Sequence, residues 1–330
     1  MSPQAILCAE QVKAEALRLG FSACGLSPAH PVDADNDAFF RRWIAQGQQA
    51  NMQYMERNTD LRLNPTLLMD GCQTIVSVAL SYVPSHPIPE GKLRLAWYAY
   101  GQDYHDVVRN KLRQLLQTLL RLNPQSGLTG RAFCDSAPIL ERYWAWRGGL
   151  GWIGKHTQLV IRRCGSAFFL GELFLNLKAD YYDHPIDKDG CGRCRRCLDA
   201  CPTHAITETD GLDARRCLSW LTIENHDAIP HAAAEKMYPY FYGCDRCLLA
   251  CPHLQSATPT HEAAFTPRPE LLGMEEDDWM NLDIEPYRKL FKGSAVKRAK
   301  FEGLKRNLQA IRNIEEEKKR NTQKPNLTKS

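Results

Sequence analysis

The sequence lacks the features of a membrane-spanning or secreted protein. No apolar run approaches the ~20 residues that a helix needs to cross a bilayer. The first 20 residues follow a helical period and show neither the basic start nor the cleavage site of a secretory peptide. The chain contains 13 cysteines. Cysteines stay reduced in the cytoplasm, whereas they form disulfides in oxidising compartments. We therefore expect a cytoplasmic protein without a membrane segment.

Several cofactor signatures are present only in part. Neither of the two C-x3-C pairs is followed by the third cysteine that radical-SAM chemistry requires. The D-x-H-x-x-G signature, by which some enzymes ligate cobalamin from below, begins at Asp103 and His105 but has Val108 in place of glycine. If cobalamin binds, this motif does not supply its lower ligand.

The bend at residues 149–154 matches G-x-G-x-x-G. A dinucleotide fingerprint must follow a strand and open a helix, whereas here a helical stretch precedes the bend and a strand follows it. This order disfavours a dinucleotide site and leaves close packing against another flat ligand open.

Eight cysteines within residues 191–252 form the most specific pattern in the chain. Residues 191–202 match the C-x2-C-x2-C-x3-C-P run of bacterial ferredoxins. Residues 244–252 carry a second run that lacks its first cysteine, and Cys217 can supply the missing thiolate. In two-cluster ferredoxins the fourth cysteine of each run ligates the other cluster. The pattern therefore predicts one [4Fe-4S] cluster on Cys191, Cys194, Cys197 and Cys251 and another on Cys201, Cys217, Cys244 and Cys247.

Structural zinc is the main alternative, because paired C-x2-C motifs also occur in zinc sites. A four-ligand zinc site gives no reason for a triple run that ends in proline, so the pattern favours iron-sulfur clusters. Disulfide scaffolds are usually short and secreted, which this chain is not.

Hydrophobic periodicity predicts alternating helices and strands ahead of the cysteines. Helices are expected at residues 4–19, 35–46, 103–122 and 139–147, and strands at 21–26, 74–81, 131–134, 158–163 and 167–177. This order indicates an α+β or α/β sandwich of one sheet with helices packed on it. The polar residues 180–189 are the expected linker to the cysteines. Further helices are expected at residues 286–290 and 294–314, and the charged residues after Glu315 are expected to be frayed or disordered.

The net charge of +4 is unevenly distributed along the chain. Residues 288–330 contain fourteen Lys or Arg and four Glu, which makes this segment strongly basic and the rest acidic. A basic segment is typical of a surface that meets a polyanion, and a solvated terminus is an equally good interpretation.

Asp135 is the one acidic residue singled out by its position, after a predicted strand and before Pro138. A carboxyl group that faces a cavity there can be held in its protonated form by burial and can then deliver the proton. The alternative is a helix cap.

Taken together, these motifs resemble the epoxyqueuosine reductase family over residues 1–314. The matching segments, besides the cysteine pattern, are residues 98–105 (YAYGQDYH), 135–142 (DSAPILER), 149–156 (GLGWIGKH), 165–173 (GSAFFLGEL), 214–224 (ARRCLSWLTIE), 228–230 (AIP) and 242–247 (YGCDRC). The resemblance implies a nitroreductase-like cobalamin-binding domain at residues 1–185, a bacterial-type ferredoxin domain with two [4Fe-4S] clusters at 186–265 and a helical, basic segment at 266–330. Some longer members carry further HEAT-like repeats, for which this chain ends too early.

The resemblance also implies a reaction and its residues. Epoxyqueuosine at the wobble position of GUN anticodons in tRNA is reduced to queuosine, with electrons from an external low-potential donor passing through the clusters to cobalamin. Asp135 matches the family's proton donor, and a monomer is expected. Cobalamin contacts are expected from Arg57, Tyr104, Asp135, Leu140, Glu141, Arg142, Thr157, Ser219, Asp245 and Arg246. The rival interpretations are a pure electron-transfer protein and a cobalamin-dependent reductase of small molecules similar to the dehalogenases.

Overall fold

The computed structural model describes residues 5–323 as helices packed on and beside one main sheet. The strands are β1 Ala23–Pro28, β2 Thr74–Ser81, β3 Arg94–Leu95, β4 Gly130–Phe133, β5 Trp152–Ile153, β6 Leu159–Val160, β7 Phe168–Leu175, β8 Ile206–Thr207, β9 Gly211–Leu212 and β10 Tyr240–Tyr242. The helices are α1 Ala9–Arg18, α2 Ala34–Ala45, α3 Thr59–Leu63, α4 Tyr104–Leu122, α5 Glu141–Arg147, α6 Arg196–Asp199, α7 Leu218–Ile223, α8 His231–Ala234, α9 Arg246–Leu249, α10 Pro269–Gly273, α11 Glu276–Met280, α12 Ile284–Leu290 and α13 Lys300–Gln323. Short 3-10 turns connect several of them. The mixed helix and sheet architecture predicted from the sequence is confirmed.

The main sheet has the strand order β1-β2-β7-β4, and all neighbouring pairs are antiparallel. Seven of the eight residues of β2 are buried, because helices cover both faces of the sheet. Val76 and Leu173 pack toward α1 and α4 on one face. Ile75 and Phe174 pack toward α5 on the other face, where they contact Trp144. The sheet therefore separates two apolar layers.

Helix α4 is the best predicted element. Asp103 caps it by accepting a hydrogen bond from the His105 amide, and the apolar side chains on one face, among them Leu112 and Leu119, are fully buried. Helix α1 begins later than the periodicity indicates, at Ala9. The reason is that Leu7 lies in a parallel bridge with Ala179, which draws the preceding backbone out of the helix. The predicted start of this helix at residue 4 lies outside the described residues.

A second core joins the segment before α4 to the end of the chain. Strand β3 pairs in parallel with β10, and Leu95 and Phe241 are completely buried in the same apolar cluster as Trp279. Leu304 and Leu308 of α13 close this cluster. Residues 88–100 thus contribute their side chains to the half of the molecule that contains the cysteines.

The expectation of a frayed chain after Glu315 is wrong for the described residues, because α13 continues to Gln323. Ile311 and Ile314 anchor the helix in the second core. Beyond them, the helix is supported by an ion pair between Arg312 and Glu316 at 2.9 Å and by a contact of 2.8 Å between His231 and Glu317. Among residues 5–323, no helix is both long and apolar enough to cross a membrane.

The glycine-rich bend after α5 forms the hairpin of β5 and β6. A Cβ atom on Gly151 would lie 2.1 Å from the carbonyl oxygen of Val160, and Gly149 has a φ of +72°. These glycines let the backbone pack against itself rather than against a bound ligand.

Candidate active site

The seven cysteines of the two runs and Cys217 lie in two groups. Cys251 lies beside Cys191 and Cys194, and Cys197 lies beside Cys191 and Cys251. The last cysteine of each run therefore joins the cysteines of the other run. This arrangement follows from the packing of α6 against α9, since each short helix carries the end of its own run toward the other run.

The second group forms around Cys217. Cys247 lies beside Cys201, Cys217 and Cys244. Burial raises the pKa of Cys244 to about 11, so a cation is needed to stabilise its thiolate form. Within residues 5–323, no three His, Cys, Asp or Glu side chains are close enough to share one metal ion. A [4Fe-4S] cluster does not require this closeness, because its four thiolates are distributed over four irons.

Asp135 lies at the end of β4 with its backbone in the left-handed conformation, at a φ of 57°. Its Oδ2 atom accepts hydrogen bonds from the Tyr104 hydroxyl at 2.7 Å and from His105 Nε2 at 2.9 Å. Tyr104 stacks between His105 and Phe169, with ring centroids 4.1 and 4.3 Å away. Helix α5 begins later, with Leu140 as its N-cap residue, so Asp135 does not cap it.

The charge state of Asp135 differs from the sequence-based expectation. Desolvation favours the protonated acid, but the hydrogen bonds from His105 and Tyr104 outweigh it and hold the pKa of Asp135 below its usual value. Desolvation likewise opposes the positive charge on His105. The contacts of His105 with Asp103 and Asp135 outweigh this effect and raise the pKa of His105 to about 9. At neutral pH the pair is therefore a carboxylate beside an imidazolium.

Two further carboxyl groups lie behind Asp135. Glu141 accepts a hydrogen bond of 2.5 Å from the Asp135 backbone amide. Glu172 on β7 is completely buried beside Glu141, opposite Ser77 of β2. Burial raises the pKa of Glu141 to about 8 and that of Glu172 well above its usual value, so both favour the protonated form at neutral pH. The sequence analysis missed Glu172, although an acidic residue in an otherwise apolar strand is a recognisable signal.

Asp135 and Arg142 lie in a recess of the surface, called the cleft below. Both side chains are open to solvent, although protein surrounds them on most sides. The stack of Tyr104 on Phe169 continues to Tyr82, whose ring centroid is 4.6 Å from that of Phe169. Tyr82 in turn lies near Cys247. A row of aromatic side chains therefore connects the acid to the second cysteine group.

The other predicted cofactor contacts divide between the two ends of this row. Arg142 donates hydrogen bonds to the carbonyl oxygen and, at 3.2 Å, to the hydroxyl of Thr157. Thr157 has a φ of 66°, which is strained for a β-branched residue and is typical of a functional position. Leu140 precedes Glu141 at the start of α5. Arg57 is exposed and contacts Gln53 at 3.4 Å.

Three predicted contacts lie beside the second cysteine group. Ser219 follows Cys217 within α7. Asp245 is buried and accepts a hydrogen bond of 2.8 Å from the amide of Trp97. Arg246 donates to the carbonyl oxygen of Tyr238 at 2.6 Å. The Asp245 contact attaches the second group of cysteines to the segment before α4.

Basic residues line the rim of the cleft. The Gly293 carbonyl accepts a hydrogen bond of 2.7 Å from the amide of Asp103, which holds the loop before α13 beside His105. Arg298 pairs with Glu224 at 2.7 Å and is close enough to Asp135 to stabilise its charge. The side chains of Lys292, Lys297 and Lys300 in the same segment are exposed.

Comparison with known proteins gives consistent matches. A family model described as epoxyqueuosine reductase QueG matches residues 62–136, and one described as a 4Fe-4S double cluster binding domain matches residues 190–253. The epoxyqueuosine reductase of Cellulophaga algicola is 40% identical over 301 residues, which cover 91% of this chain and 97% of that protein.

Two solved structures extend the likeness to three dimensions. One is epoxyqueuosine reductase with an epoxyqueuosine-modified tRNA-Tyr stem loop, with a TM-score of 0.80 at 25% identity over 92% of this chain and 80% of that one. The other is the Bacillus subtilis epoxyqueuosine reductase with its aspartate-bearing catalytic loop swung out of the active site, with a TM-score of 0.77 at 26% identity over the same shares. The chain described here therefore belongs to the epoxyqueuosine reductase family.

Proposed function

We propose that this protein reduces epoxyqueuosine to queuosine at the wobble position of tRNAs with GUN anticodons, and that it does so in the cytoplasm. The observation that carries the proposal is the position of Asp135, in a cleft that an aromatic row connects to the second cysteine group. The reaction adds two electrons and two protons to the epoxide and releases water and an alkene. An acid beside an electron path is the combination that it requires.

The groups that line the cleft fit a large, flat cofactor. Aromatic faces, the strained Thr157 and the guanidinium of Arg142 lie at one end, and Ser219, Asp245 and Arg246 lie at the other. We assign these residues, with Arg57, Tyr104, Leu140 and Glu141, to cobalamin binding. Cobalamin supplies low-valent cobalt as the electron source when it is bound, and the two [4Fe-4S] clusters supply it with electrons one at a time.

Asp135 is assigned the role of the general acid. Both hydrogen bonds to its carboxylate are made by Oδ2, which leaves Oδ1 for the substrate. Opening of the epoxide develops negative charge on the oxygen, and a proton donor within hydrogen-bond reach lowers the cost of that charge. Because the free site holds Asp135 as the carboxylate, Asp135 must take up a proton before this transfer. Tyr104 and His105 hold its carboxyl group in place.

The basic rim accounts for tRNA binding. Lys292, Lys297 and Lys300 are exposed in the segment that contacts Asp103 through Gly293, where they can neutralise phosphates of an anticodon stem loop. The modified base must leave the loop to reach Asp135, and single-stranded loops make this inexpensive because their bases are already partly unstacked. A pure electron carrier would need neither the acid nor the cleft, and a reductase of small molecules would not need the basic rim.

We further propose that residues 1–185 form a nitroreductase-like cobalamin-binding domain, residues 186–265 the ferredoxin domain and residues 266–330 the helical, basic segment. The protein is proposed to act as a monomer with an external low-potential electron donor.

The decisive experiment compares the native protein with Asp135→Asn, both purified anaerobically and loaded with cobalamin. We expect native protein to convert epoxyqueuosine-containing tRNA under a low-potential reductant. The variant should keep the visible spectra of both cofactors and lose at least ~100-fold in rate, the usual contribution of a general acid. Asp277→Asn, on an exposed surface helix, is the matched control. Full cofactor binding without conversion by the native protein would remove the assignment, and a native rate in the variant would assign the acid elsewhere.

A further inference from the structure

The reaction places an unusual demand on the proton donor, because both protons end on the same oxygen atom. The first proton accompanies cleavage of one C–O bond and leaves a hydroxyl group. The second accompanies cleavage of the other C–O bond and lets that hydroxyl leave as water, while the two electrons from the clusters form the second bond of the alkene. Asp135 carries one proton at a time. It must therefore be reprotonated while the substrate is still bound.

His105 is placed to perform this reprotonation. Its Nε2 atom lies 2.9 Å from Oδ2 of Asp135, and its Nδ1 atom lies 2.6 Å from Oδ1 of Asp103. Asp103 is itself fixed, since it caps α4 and its amide donates to the Gly293 carbonyl. The stack on Tyr104 fixes the plane of the imidazole ring. His105 thus bridges two carboxylates in one orientation.

The bridge also reaches solvent. The side chain of His105 is 28% exposed, so its ring can exchange protons with water on the side away from the substrate. The Oδ1 atom of Asp135 makes no hydrogen bond within residues 5–323. A nucleoside bound against this atom would separate it from bulk water. His105 is consequently the route by which a solvent proton reaches the acid.

The other groups around Asp135 do not provide this route. Desolvation and the neighbouring Asp135 charge raise the pKa of Tyr104 far above its usual value, so its phenol retains its proton. Glu141 contacts the backbone amide of Asp135 rather than its carboxylate. Other charged groups also face the pair. Arg298, Arg142 and Arg62 are close enough to interact with the Asp135 carboxylate, Glu172 lies behind it, and Arg109 acts on Asp103.

We propose that His105, oriented by Asp103, stores a proton and reloads Asp135 with it between the two proton transfers of epoxide reduction. This inference rests on the proposed function. It makes His105 and Asp103 positioning residues that act through Asp135. Neither residue is among those expected from the sequence to contact the cofactor.

The first test measures the histidine directly and does not depend on turnover. In 15N-histidine NMR of the oxidised holoprotein, we expect His105 to titrate near pH 9, in keeping with its raised pKa. Asp103→Asn should lower this midpoint by about one pH unit or more, because it removes one of the two negative charges that favour the imidazolium. A midpoint near the ordinary value of about 6.5, or one that Asp103→Asn leaves unmoved, would overturn the proposal.

The second test follows the pH dependence of single-turnover conversion of epoxyqueuosine-containing tRNA. His105→Gln preserves a hydrogen-bond donor toward Asp135 but cannot carry the proton. We expect a rate 10- to 100-fold lower than native, an unchanged Kd for tRNA and loss of the decline in rate that the native protein shows as pH rises through about 9. His231→Gln removes a comparable pair with Glu317 on the surface and should keep the native profile. A native rate and profile in His105→Gln would refute the relay.

The two tests separate this proposal from the proposed function. If the native holoprotein does not convert tRNA, the function fails and the NMR titration still decides whether the bridge stores a proton. If conversion is normal and the titration is ordinary, the function stands and the relay does not.

Discussion

The backbone amide of Asp135 donates a hydrogen bond to the Glu141 carboxyl group, which ties the acid to a carboxyl pair buried beneath it. This contact holds Asp135 in a left-handed backbone conformation that a non-glycine residue seldom adopts. The bond therefore stabilises the arrangement in which Oδ2 meets Tyr104 and His105. Glu172, the second member of the pair, supports Glu141 from inside the sheet.

The buried carboxyl pair should make stability depend on pH. Because the pKa of Glu172 is raised and that of Glu141 is raised to about 8, the folded protein holds more protons than the unfolded chain above pH ~4.5. The free energy of unfolding should therefore fall as pH rises through about 8, by up to ~1.4 kcal/mol per pH unit for each proton. Glu172→Gln should flatten this dependence in thermal unfolding of the anaerobic holoprotein, whereas the exposed Glu276→Gln should not. Equal slopes in both variants would show that Glu172 is ionised in the folded state.

Cys217 should be required for one cluster only. Cys217 lies beside Cys201 and Cys247 and does not belong to the group around Cys251. We therefore expect its loss to leave the group around Cys251 intact. Cys217→Ala should reduce the iron content from about eight to about four atoms per chain. The exposed Cys164→Ala should retain the full content. An unchanged iron content in the Cys217 variant would place the eighth ligand elsewhere.

The basic residues at the cleft rim should contribute more to tRNA binding than those at the end of α13. The helix is 24 residues long, about 36 Å at 1.5 Å per residue, so Lys318 and Lys319 lie well away from Lys297. Replacing Lys292 and Lys297 by Glu should weaken binding of an anticodon stem loop at least ~10-fold and reduce the salt slope by about 1 for each lost phosphate contact.

Matched charge reversal at Lys318 and Lys319 is the control for that experiment. It changes the net charge equally and should have a much smaller effect. Equal losses in both double variants would indicate that tRNA senses only the overall charge of the segment.

The hairpin after α5 should not tolerate a methyl group at Gly151. The added Cβ would lie 2.1 Å from the Val160 carbonyl oxygen, a rigid backbone atom, so Gly151→Ala should destabilise the protein by about 1–3 kcal/mol. Gly273→Ala meets nothing within 4 Å and should be close to neutral. Thermal unfolding of the two holoproteins measures the difference in stability between the variants. A similar midpoint for both would mean that the hairpin accommodates the added methyl group without loss of stability.

The sequence predicts the fold well where local pattern and tertiary environment agree. Residues 74–81 were predicted and observed as a strand because a continuous β-branched apolar run suits a strand covered on both faces. Helix α4 matched because an Asp cap precedes a clear apolar stripe. The end of α13 was not predicted as helix. It is supported by the contact of Glu317 with His231, and no local pattern reveals this contact because the two residues are 86 positions apart.

The candidate site divides in the same way. The cysteines could be found from spacing because cluster ligation constrains local sequence. His105 was considered only as part of an incomplete cobalamin-ligating motif, because its contact with Asp135, 30 residues away and across a strand, cannot be read from local sequence. The charge of Asp135 was misjudged for the same reason, since burial can be guessed from sequence while two hydrogen bonds to one oxygen cannot.

The parallel pairing of β3 with β10 has a consequence for synthesis of the chain. Leu95 leaves the ribosome 147 residues before Tyr242, its partner in the β3–β10 pairing. During this interval an apolar strand has no neighbour, and any fragment that ends before Tyr240 keeps that edge uncovered. A fragment that contains only the cysteine half of the chain would lack Leu95 and the other side chains of residues 88–100 that complete its apolar core.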